Sequence, residues 1–125
     1  MELNQTSGQV VDAAMKVHTV LGPGLLESAY EACLLFELRK RGLQAGKQVA
    51  LPVTYEDVKI DVGYRVDVLV EDRIIVELKA VEKVLPLHEA QLLSYLKLSD
   101  RKLGLLINFN VMRLKDGIKR MVNNF

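Results

Sequence analysis

The chain has 125 residues, 50% of them apolar and 26% charged, with a formal net charge of +1. That length suits one domain, residues 1–125, whose core buries roughly two-thirds of the surface an unfolded chain exposes. The composition is that of an ordinary soluble globular protein, and the balance of charge excludes a chain that is basic throughout. Cys33 is the one cysteine. It excludes an internal disulfide, and alone it holds neither a thiolate zinc site nor an iron–sulfur cluster. No apolar run approaches the length of a membrane span. Met1-Glu2-Leu3-Asn4-Gln5 lacks the basic start and apolar stretch of a signal peptide. The expected compartment is the cytoplasm, with no membrane partner.

Residues 7–21 have helical spacing: Val10, Ala14, Val17 and Leu21 form one stripe, with Val11 and His18 beside it. Ser7 is the expected N-cap, and Gly22-Pro23-Gly24 ends the helix. A second helix is expected over about 25–41, with Leu26, Tyr30, Cys33, Leu34 and Leu38 on its apolar side and Gly42 as C-cap. Glu27 falls in its first turn, where an acidic residue complements the helix dipole. Residues 47–55 alternate as a strand, Glu56-Asp57 makes a turn, and 59–62 resumes an extended pattern. A hairpin over 64–80 follows. Pro86 suits the first turn of a third helix, in which Leu87, Gln91, Ser94, Tyr95 and Leu98 recur at spacings of three and four. His88-Glu89 begins a zinc-protease pattern, but Leu92 stands where the second His is needed. Residues 104–109 read as an apolar strand, and 110–114 and 118–122 flank Lys115-Asp116-Gly117 as a hairpin. This order predicts an α+β fold, a sheet with helices packed against it.

Charge is unevenly spread. Residues 97–125 carry Lys97, Arg101, Lys102, Arg113, Lys115, Lys119 and Arg120 against Asp100 and Asp116. Such a basic end is either a phosphate-contacting surface or a solvated rim.

The hairpin over 64–80 holds the chemistry. Its strands are runs of Val, Ile and Leu into which Asp67, Glu77 and Lys79 are set, and a buried charge is costly unless paired or bound to metal. A three-residue loop, Glu71-Asp72-Arg73, pairs Val70 with Ile74, Val68 with Val76, Asp67 with Glu77 and Val66 with Leu78. In that register six aliphatic residues line one face and Asp67, Glu77 and Lys79 cluster on the other. A slip of one residue sends one strand's charges to the wrong face. Opposed carboxylates repel, and two arrangements relieve them. One is a hard cation such as Mg²⁺ or Mn²⁺ held by oxygen ligands, to which the main-chain carbonyl of Leu78 adds a further donor. Lys79, about 7 Å along the strand from Glu77, then holds a water or steadies developing negative charge, an arrangement suited to phosphodiester hydrolysis. The other is a salt-bridged sheet edge, with Lys79 or Arg65 neutralising the acids.

Asp67…Glu77-Leu78-Lys79 resembles the active-site pattern of the PD-(D/E)XK nuclease superfamily. Gly24-Leu25-Leu26-Glu27-Ser28-Ala29-Tyr30 resembles the Gly-x-x-Glu-x-x-Tyr signature of the GxxExxY proteins, a family placed in that superfamily. Further stretches are similar to that family: Val17-His18, Leu21-Gly22-Pro23-Gly24, residues 91–97 and residues 104–109. The resemblance implies a restriction-endonuclease-like core, an α/β sandwich whose mixed sheet is flanked by helices. It implies that Asp67 and Glu77 bind metal with the Leu78 carbonyl, that Glu27 lies near the ion, directly or through water, and that Lys79 assists the attacking water. Gln91 and Tyr95 resemble the Gln-x-x-x-Tyr motif of the RecB-like branch, which shapes the site and holds nucleic acid; spaced four apart, they project from one helix face. Val66 stands where the superfamily's name has proline. Buried packing roles are the expectation for His18 and Tyr30.

The function expected from these residues is metal-dependent hydrolysis of nucleic-acid phosphodiester bonds, with Mg²⁺ or Mn²⁺ as cofactor and no iron–sulfur cluster. The expected partner is DNA in preference to RNA, held by Gln91, Tyr95, Lys97, Arg113, Lys115, Lys119 and Arg120. A catalytically silent nucleic-acid- or protein-binding module on the same fold is the alternative. A homodimer paired through an exposed strand, 47–55 or the last hairpin, is a third reading.

Overall fold

The computed structural model describes residues 1–123. In chain order it contains α1 (Leu3–Leu21), α2 (Glu27–Lys40), β1 (Ala45–Ala50), β2 (Val53–Tyr55), β3 (Val58–Ile60), β4 (Arg65–Val70), β5 (Ile74–Lys79), α3 (Pro86–Ser99), β6 (Leu103–Asn108), a 3₁₀ helix (Leu114–Gly117) and β7 (Ile118–Val122). Five strands form one sheet in the order β1-β4-β5-β6-β7, and β2 and β3 pair only with each other. The pairing is parallel between β5 and β6 and antiparallel elsewhere. The parallel pair needs a crossover, and α3 supplies it. This is the α+β architecture of a restriction-endonuclease-like core. Among the described residues, no helix is long and apolar enough to cross a membrane.

Helices cover both faces of the sheet. On one side Val10, Ala14 and Val17 of α1 and Tyr30, Leu34 and Leu38 of α2 pack on Val68, Val70, Ile74, Val76 and Leu78. On the other, Leu92, Tyr95 and Leu96 of α3 pack on Ile75 and Leu106. Gly104 lets α3 lie close: a Cβ there would stand 2.9 Å from Leu92 Cδ1. Two ion pairs tie the first two helices together, Glu37 with Lys16 at 3.1 Å and Arg41 with Asp12 at 2.6 Å.

Three expectations are corrected. The first helix begins four residues before Ser7, where the Gln5 side chain accepts from the Glu2 N–H at 3.1 Å, and Ser7 lies buried inside the helix. Residues 47–55 are not one strand: β1 stops at Ala50, and Leu51-Pro52 sends the chain into the separate β2–β3 arm, where proline offers no N–H to a ladder. The stretch 110–114 is not a strand either. The Asn108 side chain accepts from the N–H groups of Val81 and Asn110, so the chain turns directly after β6. β7 then returns to pair with β6 itself, Leu103 opposite Val122.

β1 and β4 change faces together, and this change positions everything that follows. Regular alternation places Val66 with Val68 and Val49 with Ala45. Instead Ala45 and Val68 belong to the core under α1 and α2, while Val49 and Val66 belong to the core under α3. The expected row of six aliphatics is therefore five. The switch occurs at Gln48, whose φ is +50°. A left-handed residue inside a strand costs on the order of 1 kcal/mol or more and is held only by its surroundings.

The loop between α1 and α2 is held as firmly. Tyr30 is fully buried and stacks on Phe109, centroids 4.5 Å apart. Its hydroxyl donates to the Gly22 carbonyl at 2.6 Å and accepts from the Leu25 N–H at 3.1 Å. His18, also buried, shares a 2.8 Å hydrogen bond with the Val111 carbonyl. Both residues thus pack the core, and Tyr30 also sets where α2 begins. Removing its hydroxyl orphans a donor and an acceptor, so Tyr30→Phe is expected to lose about 1–3 kcal/mol in urea denaturation. A variant as stable as wild type would show that the hydroxyl anchors nothing.

Candidate active site

β4 and β5 form a regular ladder from Val70–Ile74 to Val68–Val76, as the hairpin pattern predicts. Glu71 and Asp72 make the tight turn with left-handed φ of +54° and +55°. Beyond Val68 the side chains take over the ladder's bonds. Asp67 Oδ2 accepts from the Leu78 N–H at 2.8 Å, and Glu77 Oε1 accepts from the Asp67 N–H at 3.3 Å. The two acids meet here, as the register argument requires, although they are joined through side chains rather than a ladder pair.

Glu77 is 7% exposed. Burial, then the negative charge of Asp67 and a hydrogen bond with its carboxyl, push its carboxyl up to about 9; the Asp67 N–H and the charge of Lys79 pull the other way. With no cation bound, this pair therefore carries a proton at neutral pH. Lys79, half-buried, forms no ion pair among the described residues, and Arg65 pairs with Asp61 at 3.3 Å instead. The salt-bridged edge is not what the fold builds.

Other elements wall the pair. Gln48, opposite Asp67 on β1, donates from Nε2 to Asp67 Oδ1 at 3.3 Å and to Glu31 Oε2 at 2.8 Å. Both oxygens of Asp67 are thereby oriented. On α3, Gln91 Nε2 donates to the Tyr95 hydroxyl at 3.2 Å, so this pair does share a helix face. Tyr95 is 7% exposed. Its phenol is pushed up by burial and by the negative charges of Glu77, Tyr64 and Asp67.

The structure does not gather every expected residue. Glu27 is the first residue of α2 and points into solvent, with no hydrogen bond or ion pair among the described residues. The acid connected to Asp67 is Glu31, one turn later. Lys97 and Lys115 are exposed. Lys119 pairs with Glu89 at 2.8 Å, Arg113 with Asp116 at 3.8 Å, and Arg120 bonds Asn4 at 2.8 Å. Sequence reasoning missed Glu31 and Gln48 as site residues. Glu31 has a signal, its spacing of four from Glu27; Gln48 has none, because a left-handed residue inside a strand leaves no compositional trace.

A family model described as the PD-(D/E)XK nuclease superfamily matches residues 4–121. The chain belongs to the PD-(D/E)XK nuclease superfamily. No curated protein and no solved structure matches it. PD-(D/E)XK nucleases typically use divalent metals, and the donors fit one. Asp67 and Glu77 offer hard oxygens with no basic side chain between them. Among the described residues no three acidic, His or Cys side chains converge. Hard divalent cations can be held by one or two carboxylates, with water and phosphate oxygens completing the shell.

The raised carboxyl of Glu77 sets a sign for stability. An unfolded glutamate ionises near its ordinary value of 4.5, while the folded one keeps its proton to about 9. Between those values the unfolded state binds fewer protons, so stability falls as pH rises. By pH 7 the loss is on the order of 3 kcal/mol. In chelator, Glu77→Gln is expected to melt above wild type at about pH 8 and to lack wild type's decline from about pH 5 to 9. Thermal melts that run parallel across that window would refute the buried, proton-holding Glu77.

Proposed function

We propose that this PD-(D/E)XK protein is a divalent-metal-dependent nuclease that hydrolyses phosphodiester bonds, DNA in preference to RNA. The observation that supports the reading is the buried Glu77 held against Asp67, with no ion-paired base among the described residues. A buried carboxylate held against a second, half-buried one is stabilised by a proton or a cation, and a proton makes the pair idle.

Asp67 and Glu77 would hold the ion, Mg²⁺ or Mn²⁺. The Leu78 carbonyl is the third donor, since the N–H and C=O of one strand residue share a side and this N–H faces Asp67. When bound, the ion polarises a phosphoryl oxygen, lowers the pKa of water and neutralises the leaving oxygen. The chain's own residues do the rest. Gln48 fixes Asp67 from β1 and presents Glu31 alongside. Lys79, with no ion pair among the described residues, is left to orient the attacking water or to neutralise charge on the phosphate. Tyr95 and Gln91 form the wall against which the strand lies. Glu27, at the solvent edge of α2, would reach the ion only through water.

The test is cleavage of single- and double-stranded DNA and RNA with Mg²⁺ or Mn²⁺. Asp67→Asn, Glu77→Gln and Lys79→Ala are each expected to slow cleavage by at least about 100-fold, the typical contribution of a positioned acid–base group. A wild type that cuts none of these substrates would sink the proposal.

Gln48 adds a separate expectation. Residues that orient a metal ligand typically contribute about 10–100-fold in affinity. Gln48→Ala should therefore weaken Mn²⁺ binding about tenfold in calorimetry while leaving the fold's circular dichroism unchanged. Unaltered Mn²⁺ affinity would show that Asp67 needs no support from β1.

A further inference from the structure

We infer that Tyr64 is a stacking platform for an unpaired nucleobase, so that the substrate class is single-stranded nucleic acid; the inference rests on the nuclease reading for where the adjoining phosphate goes. Tyr64 stands three residues before Asp67, directly before β4, and its carbonyl accepts from the Leu51 N–H at 2.9 Å. The residue is 43% exposed. Its ring rests on Tyr95, centroids 5.6 Å apart and planes tilted by 44°.

Tyr95 is a rigid back for that ring. It is buried among Leu51, Val66, Ile75 and Leu92 and is bonded to Gln91. The result is one aromatic ring supported from behind and open in front, three residues before Asp67 in the chain. Three residues of extended chain span about 10 Å, so a base stacked on Tyr64 leaves neighbouring phosphates within reach of Asp67 and Glu77.

The β2–β3 arm extends this surface. It leaves Tyr55, Val58, Ile60 and Val62 between 44% and 64% exposed. Exposed apolar surface of that kind marks an interaction site. Charge decides where a polyanion can lie on it. The tip carries Glu56 and Asp57, which repel phosphates, and Asp61 is matched by Arg65. The strand is thus directed to the base of the arm, at Tyr64. A duplex hides its base faces within its own stack. Only an unpaired base offers a face to the ring, and such stacking is independent of sequence.

The experiment measures binding in chelator, where no cleavage interferes, using a single-stranded deoxyoligonucleotide with an internal 2-aminopurine and a blunt duplex of the same sequence. Wild type is expected to bind the single strand at least tenfold tighter than the duplex and to quench the 2-aminopurine. Tyr64→Ala should lose about tenfold or more of single-strand affinity, as for one stacked base, and Tyr64→Phe should retain wild-type affinity and quenching. The phenylalanine variant keeps the ring, so a loss shared by both variants overturns the proposal. Equal affinity for strand and duplex overturns it too, as does a wild-type dimer in sedimentation that Tyr64→Ala dissolves. None of these results touches metal-dependent cleavage, whose absence would sink the nuclease reading by itself.

Discussion

The site depends on one local departure from sheet regularity, the point where β4 stops pairing with β5 through its backbone. Two antiparallel strands that stayed in register would exchange main-chain hydrogen bonds along their whole length and leave no room between them. Here Asp67 Oδ2 occupies the Leu78 N–H and Glu77 Oε1 meets the Asp67 N–H. These bonds keep the buried donors satisfied while the backbones separate. Gln48 borders the opening from the other side. Its left-handed φ marks where β1 changes face, level with the change in β4, so that Val49 and Val66 both join the α3 core. Strain of this size persists where the surrounding structure over-determines it, and it concentrates at functional sites.

The two helical layers hold opposite sides of this opening. α1 and α2 are locked to each other through the Glu37–Lys16 and Arg41–Asp12 ion pairs, and the Tyr30 hydroxyl pins the loop from which α2 starts. The register of α2 is therefore fixed relative to the sheet, and with it the height at which Glu31 meets Gln48. α3 is held by a different device. The bare Cα of Gly104 lets Leu92 seat against β6, and this brings Tyr95 down beside Glu77. Because α3 is also the crossover between parallel β5 and β6, the strand that carries Glu77 and Lys79 and the helix that walls them are joined by only a short connection.

Much of this was legible in the sequence. The strand-loop-strand pattern of 64–80 predicts the Val70–Ile74 and Val68–Val76 pairs, because aliphatic alternation permits only one register. Pro86 marks the start of α3, and the spacing of Gln91 and Tyr95 predicts their shared face. The failures have physical causes. Ser7 looked like a cap because capping propensity is local, whereas the buried packing of Thr6 and Ser7 carries the helix past it. The hairpin over 110–122 failed because its turn signal, Lys115-Asp116-Gly117, lies in a 3₁₀ helix. The strand partner was instead chosen by the open edge of β6. Glu27 stood out because a motif named it, but motif position says nothing about where a first-turn carboxylate points; Glu31 and Gln48 became visible only once β1 lay beside β4.

The charge of the site follows from the same geometry. A carboxylate 7% exposed beside a second carboxylate could have been stabilised by Lys79, which follows Glu77 closely in sequence, or by Arg65, which closely precedes Asp67. The fold directs Arg65 to Asp61 and leaves Lys79 without an ion pair among the described residues. A salt bridge would have made the pair a passive piece of core, since breaking it to admit a ligand strands a buried charge. A shared proton is different. It can leave for water with no side-chain rearrangement, and under the proposed function an entering cation would match the vacated charge. The arrangement therefore exchanges folding stability for a pre-oriented pair of oxygens, and Gln48, bonded to Asp67 Oδ1, keeps that orientation from relaxing when the proton is gone.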